Sequence, residues 1–350
     1  MTARIPVFDG HNDTLLRLLS TDQANAEALF IEGGRGGHID LPKAKAGGFA
    51  GGMFAMFPRS NEKFTGEPDP SAKAYDMPLP GMLSLEEARA STFAMVSILY
   101  RLERAGALSV CRSAAEIRAA MAADRIAAVF HIEGAEAIDK NLDTLELLYA
   151  AGLRSLGIVW SRPNIFGHGV PFRFPSSPDT GPGLTDAGKA LVKASNRLGI
   201  LIDLSHLNEK GFRDVAALSD APLVATHSNV HALSPHARNL TEWQLGAIRE
   251  TGGVVGLNFA TGFLRDDGRM TPATGVDIMV RHIAALVEAL GEDDVAIGSD
   301  FDGAVIPSII GDASGLPVLI DALLAHGFGR ELVEKIAWKN WVSLLERTIG

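Results

Sequence analysis

Among its 350 residues the sequence holds one cysteine, Cys111. That excludes an intramolecular disulfide and a cysteine-based zinc cluster. No window approaches the roughly 18 apolar residues of a membrane-spanning helix. There is no stripe of Lys and Arg interleaved with aromatics, and the formal net charge is −10; both features count against binding a nucleic-acid backbone or an anionic membrane. No Gly-x-Gly-x-x-Gly follows an apolar run, and "EGGRGGHI" fits neither that fingerprint nor a phosphate loop. His-Glu-x-x-His and Gly-x-Ser-x-Gly are also missing, which removes that class of zinc protease and a serine nucleophile elbow. Cys111 follows a helical stretch with no partner nearby and makes a poor nucleophile. The opening "MTARIPVFDGHND" has no long apolar stretch, so no signal peptide is expected and the protein reads as cytoplasmic.

The composition that remains is ordinary for a globular protein, 47% hydrophobic and 21% charged. Eight short apolar runs alternate with amphipathic stretches: "IPVFD" (5–9), "FAGGMFAMF" (49–57), "IAAVFHIEG" (126–134), "SLGIVW" (155–160), "GILIDLSH" (199–206), "PLVATHS" (222–228), "GGVVGLNF" (252–259) and "VAIGSDFDG" (295–303). The stretches between carry helix grammar, such as the Ser84-x-x-Glu87 capping box and the span from Thr185 to Gly199. Near-continuous apolar strands separated by helices imply parallel strands buried on both faces. Eight such units predict an α/β protein, a (β/α)₈ TIM barrel formed as one domain over residues 1–350. An open doubly wound sheet is the alternative, and it lacks its glycine fingerprint. The Pro- and Gly-rich stretches 58–83 and 161–183 read as loops over one end of the barrel.

Barrel enzymes build their sites where strands end. The first strand ends at His11 and Asp13, the third at Glu133, the fifth at His206, the sixth at His227 and the eighth at Asp300. Each alone has an ordinary explanation. "DGHND" could be a turn, Glu133 a helix-start carboxylate, and Asp300 and Asp302 turn residues. Separate explanations do not account for their falling on one rim. Three His and two carboxylates converging there suit two ions of the zinc class, one carboxylate bridging. His131, two residues before Glu133, is the most plausible further member. His231, four after His227, could share a helix face with it. His38, His236, His282 and His326 read as surface or packing residues.

"DGHND", "IEG", "LSH", "THSN" followed by "ARN", and "GSDFDG" occur in the order found in the membrane dipeptidase (renal dipeptidase) family of zinc peptidases, which the sequence resembles over essentially its whole length. The resemblance implies a barrel with two zinc ions per chain, held by His11 and Asp13 on one side and His206 and His227 on the other, with Glu133 bridging. It implies Asp300 as the catalytic proton shuttle, Arg238 of "HARNL" as the group that holds the substrate carboxylate, and a homodimer. It implies hydrolysis of a dipeptide, including those with a C-terminal D-residue, by a hydroxide bridging the metals. One departure stands out: a histidine that family members often place after the fourth strand, in contact with substrate, is Trp160 here, and His168 in the next loop is its only nearby replacement. The competing expectations are a related amide hydrolase acting on N-acyl amino acids or a β-lactam, and a metal-binding relative without turnover.

Overall fold

The protein is seen here as a computed structural model, which describes residues 4–34, 36–60 and 72–350. Ten strands lie among the described residues: β1 (Val7–Asn12), β2 (Phe49–Met56), β3 (Tyr75–Met77), β4 (Leu108–Cys111), β5 (Ile126–Glu133), β6 (Leu153–Gly157), β7 (Phe172–Phe174), β8 (Leu201–Asp203), β9 (Val255–Leu257) and β10 (Val295–Ile297). Parallel pairing runs β1–β2–β5–β6–β8 and β9–β10. Single bridges complete the circle: Asp203 with Val224, Ala225 with Val255, and Asn12 with Phe301. The result is the expected (β/α)₈ barrel, with helices between successive staves.

The sixth stave, expected as a strand over 222–228, is held by those bridges and not by a ladder. Its geometry has a steric cause. The Thr226 carbonyl pushes inward to where a Cβ on Gly10, Gly256 or Gly298 would lie 2.5, 2.0 or 1.9 Å from it. Only glycine leaves that space. Trp341 occupies the rest, fully buried, its indole N–H donating to Ile297 O at 2.7 Å.

Three strands were not expected. β4 pairs with the lower half of β5 while β6 pairs with the upper half, so Cys111 ends a strand and does not merely trail a helix. β3 and β7 form a small antiparallel ribbon. It joins the two long loops, and the Tyr75 hydroxyl fastens it to Gly268 O at 2.9 Å. Residues 61–71 of the first loop lie outside the described residues.

Alternation sorts the barrel into layers. On β5, Ile126, Ala128, Phe130 and Ile132 pack outward into the core beneath the helices. Ala127 and Val129 point inward and join Phe8, Met53, Leu201, Val224, Val254, Ala296 and Trp341 in an apolar floor. The next inward residues on the same strand are His131 and Glu133, both buried. The apolar floor thus gives way to polar groups toward the C-terminal rim. The Ser84–Glu87 capping box starts the helix Leu85–Arg104, and Thr185 and a left-handed Gly199 bound the helix Asp186–Leu198, as the sequence predicts. No helix among the described residues is long and apolar enough to cross a membrane.

Candidate active site

Glu133, the last residue of β5, sits at the centre of the rim. Its Oε1 lies 2.9 Å from His206 Nε2, 3.4 Å from His227 Nε2 and 3.8 Å from His11 Nε2. His11 Nε2 is 3.4 Å from Asp13 Oδ2. The His11 and His227 rings stack with centroids 3.8 Å apart. Three sets of ligand-type atoms each fall within 4.8 Å of one another: Glu133, His206 and His227; His11, Asp13 and Asp300; and His11, Asp203 and His227. Every one of these residues is buried.

The cluster leaves polar atoms that the protein alone does not satisfy. Neither ring nitrogen of His11 has a hydrogen-bond partner, and the Nε2 atoms of His206 and His227 face each other at 3.1 Å. Buried polar groups without partners are costly. Burial holds the Glu133 carboxyl well above its usual range, against the pull of His11. Burial opposes a charge on His11, yet Glu133 and Asp13 beside it raise its pKa to about 10. Burial also keeps His206 and His227 neutral, far below the usual imidazole value, with Arg238 and His11 adding to the effect. Buried carboxylates beside two neutral imidazoles, with a third imidazole whose proton a cation would replace, are the donor set a zinc-class ion takes.

Local backbone brings these groups inward. His206 and Asp300 both adopt left-handed φ, 68° and 57°, which costs a non-glycine residue about 1 kcal/mol or more. The Asp300 turn is anchored to β1 by Asp300 N–H to His11 O at 3.0 Å and Asp13 N–H to Phe301 O at 2.8 Å. Asn258 Nδ2 donates to Asp300 Oδ2 at 2.9 Å. Gly303 lets the two carboxylates close in: a Cβ there would lie 2.2 Å from Asp13 Oδ2 and 2.5 Å from Asp300 Oδ1.

Arg238 is buried beside the cluster. Its Nη1 donates to Ser228 Oγ at 3.2 Å and its Nη2 to His227 O at 3.0 Å, while Nε has no partner. Burial lowers its pKa to about 10, so it stays charged at neutral pH. Trp160 stands on the same rim with its ring 6.0 Å from that of His206, between Phe57 at 5.1 Å and Phe172 at 5.4 Å. The Arg162 guanidinium lies behind it, 5.4 Å from the ring and paired with Glu136 at 2.8 Å. His168 keeps a buried Nδ1 without a partner.

His131 points into the barrel below the cluster, its ring 5.4 Å from His11. His231 shares no helix with His227: it lies in a turn, and its Nε2 meets Ser176 O at 2.9 Å. His236 and His282 are buried packing residues and His326 is exposed. His38 does more than pack, since its Nδ1 accepts the Asp302 N–H at 2.8 Å. Sequence reasoning passed over Asp203, Thr226, Ser161 and Asn258. Period-two spacing from the floor residue Leu201 is the signal that finds Asp203.

Comparison with known proteins extends this picture. The profile of the family described as membrane dipeptidase, Peptidase family M19, matches residues 1–348. A Klebsiella pneumoniae protein from the 5′ region of pqqA is 51% identical over 242 residues, 69% of this chain and 89% of that protein. A Rhodobacter sphaeroides metallo peptidase, crystallised with a phosphinate mimic of the dipeptide L-Ala-D-Ala, superposes with a TM-score of 0.94 at 54% identity, covering 99% of this chain and 100% of that one. A second crystallised metallo peptidase of family M19, dipeptidase AC, gives a TM-score of 0.95 at 55% identity with the same coverage. A profile match over nearly the whole chain and likeness above 50% identity agree with the geometry of the rim: the chain belongs to the membrane dipeptidase family.

Proposed function

We propose that the chain is a zinc-dependent dipeptidase with two zinc ions, His11 and Asp13 on one side, His206 and His227 on the other, and Glu133 between them. The observation that carries this reading is the convergence of three imidazole nitrogens on Glu133 Oε1 within 3.8 Å, with neither ring nitrogen of His11 given a hydrogen-bond partner to explain its burial. Zinc bound there supplies Lewis-acid polarisation of the scissile carbonyl and lowers the pKa of a water toward about 7.

The chain's own residues then have distinct tasks. Asp300, oriented by Asn258, takes a proton from the water that attacks the peptide carbon and delivers it to the leaving amine nitrogen as the C–N bond breaks. Arg238 pairs its planar fork with the C-terminal carboxylate of the substrate, which limits the enzyme to short substrates with a free carboxylate. Trp160, with Phe57 and Phe172, makes an apolar wall beside the reacting centre where the family often has an imidazole donor. The L-Ala-D-Ala mimic bound by the Rhodobacter sphaeroides relative supports a dipeptide with a C-terminal D-residue as substrate. A homodimer and a cytoplasmic location belong to the same reading, to be tested by light scattering and cell fractionation.

The test is elemental analysis of protein purified without chelator, followed by a panel of L,L and L,D dipeptides with zinc added. Two zinc per chain and dipeptide turnover are expected. Two zinc without turnover would move the substrate to an N-acyl amino acid or a β-lactam, a second reading that the apolar Trp160 position favours. Failure to take up zinc would overturn the assignment.

A further inference from the structure

The two imidazoles closest to Glu133 differ in what stands behind them. Behind His206 Nδ1 is the Ser161 hydroxyl at 3.0 Å, and behind His227 Nδ1 is the Thr226 hydroxyl at 2.8 Å. A hydroxyl has one proton and two lone pairs, so by itself it can serve either imidazole tautomer. The Thr226 hydroxyl is already committed: its Oγ1 lies 2.6 Å from Asp203 Oδ2. Asp203 Oδ1 in turn accepts the backbone N–H of Thr226 at 2.8 Å and of Ser205 at 3.0 Å. Backbone N–H groups cannot reverse their role, so Asp203 Oδ1 is an acceptor; Oδ2, as the other oxygen of a carboxylate, accepts as well. Thr226 must give its only proton to Asp203, which leaves it able only to accept from His227. His131 Nε2 stands 3.8 Å from Asp203 Oδ2, too far to compete. Asp203 and Thr226 are both buried, so no bulk water replaces these bonds.

We infer that Asp203 and Thr226 are positioning residues that lock His227 as its Nδ1–H tautomer, with the Nε2 lone pair facing Glu133 and His206. Among the described residues no carboxylate is hydrogen-bonded to Ser161, so His206 keeps both tautomers. In the metal-free chain His206 Nε2–H has two acceptors in reach, Glu133 Oε1 at 2.9 Å and His227 Nε2 at 3.1 Å. Taking up a cation then requires one tautomer change, at His206, with the Ser161 hydroxyl turning over to match. One imidazole of the pair is fixed and the other adapts. The value of this for metal binding rests on the proposed zinc reading; the tautomer itself does not.

The experiment compares the wild type with Thr226→Ser, Thr226→Val and Asp203→Asn. In Asp203→Asn, the amide oxygen stays on the two backbone N–H groups and the amide NH₂ faces Thr226. The threonine hydroxyl then turns to donate to His227 Nδ1, and the tautomer reverses. Long-range ¹H–¹⁵N spectra of ¹⁵N-histidine protein, before and after chelation, read which nitrogen of His227 carries the proton. Zinc titration against a chromophoric chelator reads affinity. The wild type and Thr226→Ser should show Nδ1–H and zinc affinities within about threefold of each other. Asp203→Asn should show Nε2–H, and both it and Thr226→Val should hold one zinc about 10–100-fold more weakly. A wild-type His227 protonated on Nε2 in the chelated chain overturns the inference without any variant, as does Asp203→Asn with tautomer and affinity unchanged. An Nδ1–H wild type that takes up no zinc supports the tautomer lock and overturns the zinc reading instead.

Discussion

Alanine at Gly303 should disable the site while leaving the barrel intact. Gly303 does not use a left-handed φ, so alanine fits its backbone and, by narrowing the unfolded ensemble, favours folding by about 0.4–1 kcal/mol. The cost falls on the two carboxylates. The new Cβ would lie 2.2 Å from Asp13 Oδ2 and 2.5 Å from Asp300 Oδ1, roughly 1 Å inside ordinary van der Waals contact. Neither side chain has free room, since both are buried among His11, Glu133 and Asn258. Metal–ligand distances tolerate only about 0.2 Å, and a 1 Å misplacement of reacting groups costs about 10²-fold in rate, about 2.7 kcal/mol in barrier. The expected result is a melting temperature unchanged within about 3 °C, kcat/KM for a dipeptide down about 100-fold, and weaker zinc binding on the Asp13 side. Scanning calorimetry, steady-state kinetics and zinc titration on one preparation decide it. Full zinc affinity and full kcat/KM in Gly303→Ala would refute the close approach of the two carboxylates as a requirement of the site.

Three further outcomes are expected. Arg238→Lys should raise KM for a dipeptide about 10–100-fold with kcat little changed, because an ammonium cannot reproduce the fork that pairs with a carboxylate; steady-state kinetics with an unchanged KM would remove Arg238 from substrate binding. Asp300→Asn should lower kcat about 10²–10⁴-fold while elemental analysis still finds the wild-type metal content; near-normal kcat would reject the proton role. Burial pushes the Cys111 thiol up to about 12, so at pH 8 the native thiolate fraction is about one in ten thousand, and it rises to about a quarter on unfolding, where the pKa returns to about 8.5. Iodoacetamide at pH 8 should therefore label Cys111 only after denaturant is added, and rapid labelling of native protein would contradict the burial of Cys111 at the end of β4.

The barrel and the gathering of the six rim residues were legible in the sequence because each polar residue directly follows an apolar run, and strand ends share one rim. What escaped was not local. Asp203 hides inside "GILIDLSH", where it reads as an interruption of a strand; its role depends on Thr226 in the next stave. β3 and β7 are three residues each and find one another across 97 residues, a pairing that no window of the sequence displays. β4 is short and half-exposed, so its "LSVC" lacks the apolar density that marks a buried stave. The spacing of His227 and His231 fits a helix, but the chain turns there, through Ser234 and Pro235. The sixth stave was read correctly as apolar and incorrectly as a ladder, because its register is set by the glycines that its carbonyl presses against in three other staves.

The barrel closes by joining its two ends: Ser299 N–H bonds Asp9 Oδ1 across 290 residues, and Trp341 fills the floor beneath β1. During synthesis His11 and Asp13 leave the ribosome first, and at 5–20 residues per second the segment that completes their surroundings follows on the order of tens of seconds later. Until then β1 has one open edge, the kind of surface that invites pairing with other chains. On the zinc reading proposed above, His11 and Asp13 would wait for His206 and His227, which lie about 200 residues further along the chain. A cation would then meet its full ligand set only late in synthesis, and a shortage of zinc should leave folded chain without metal.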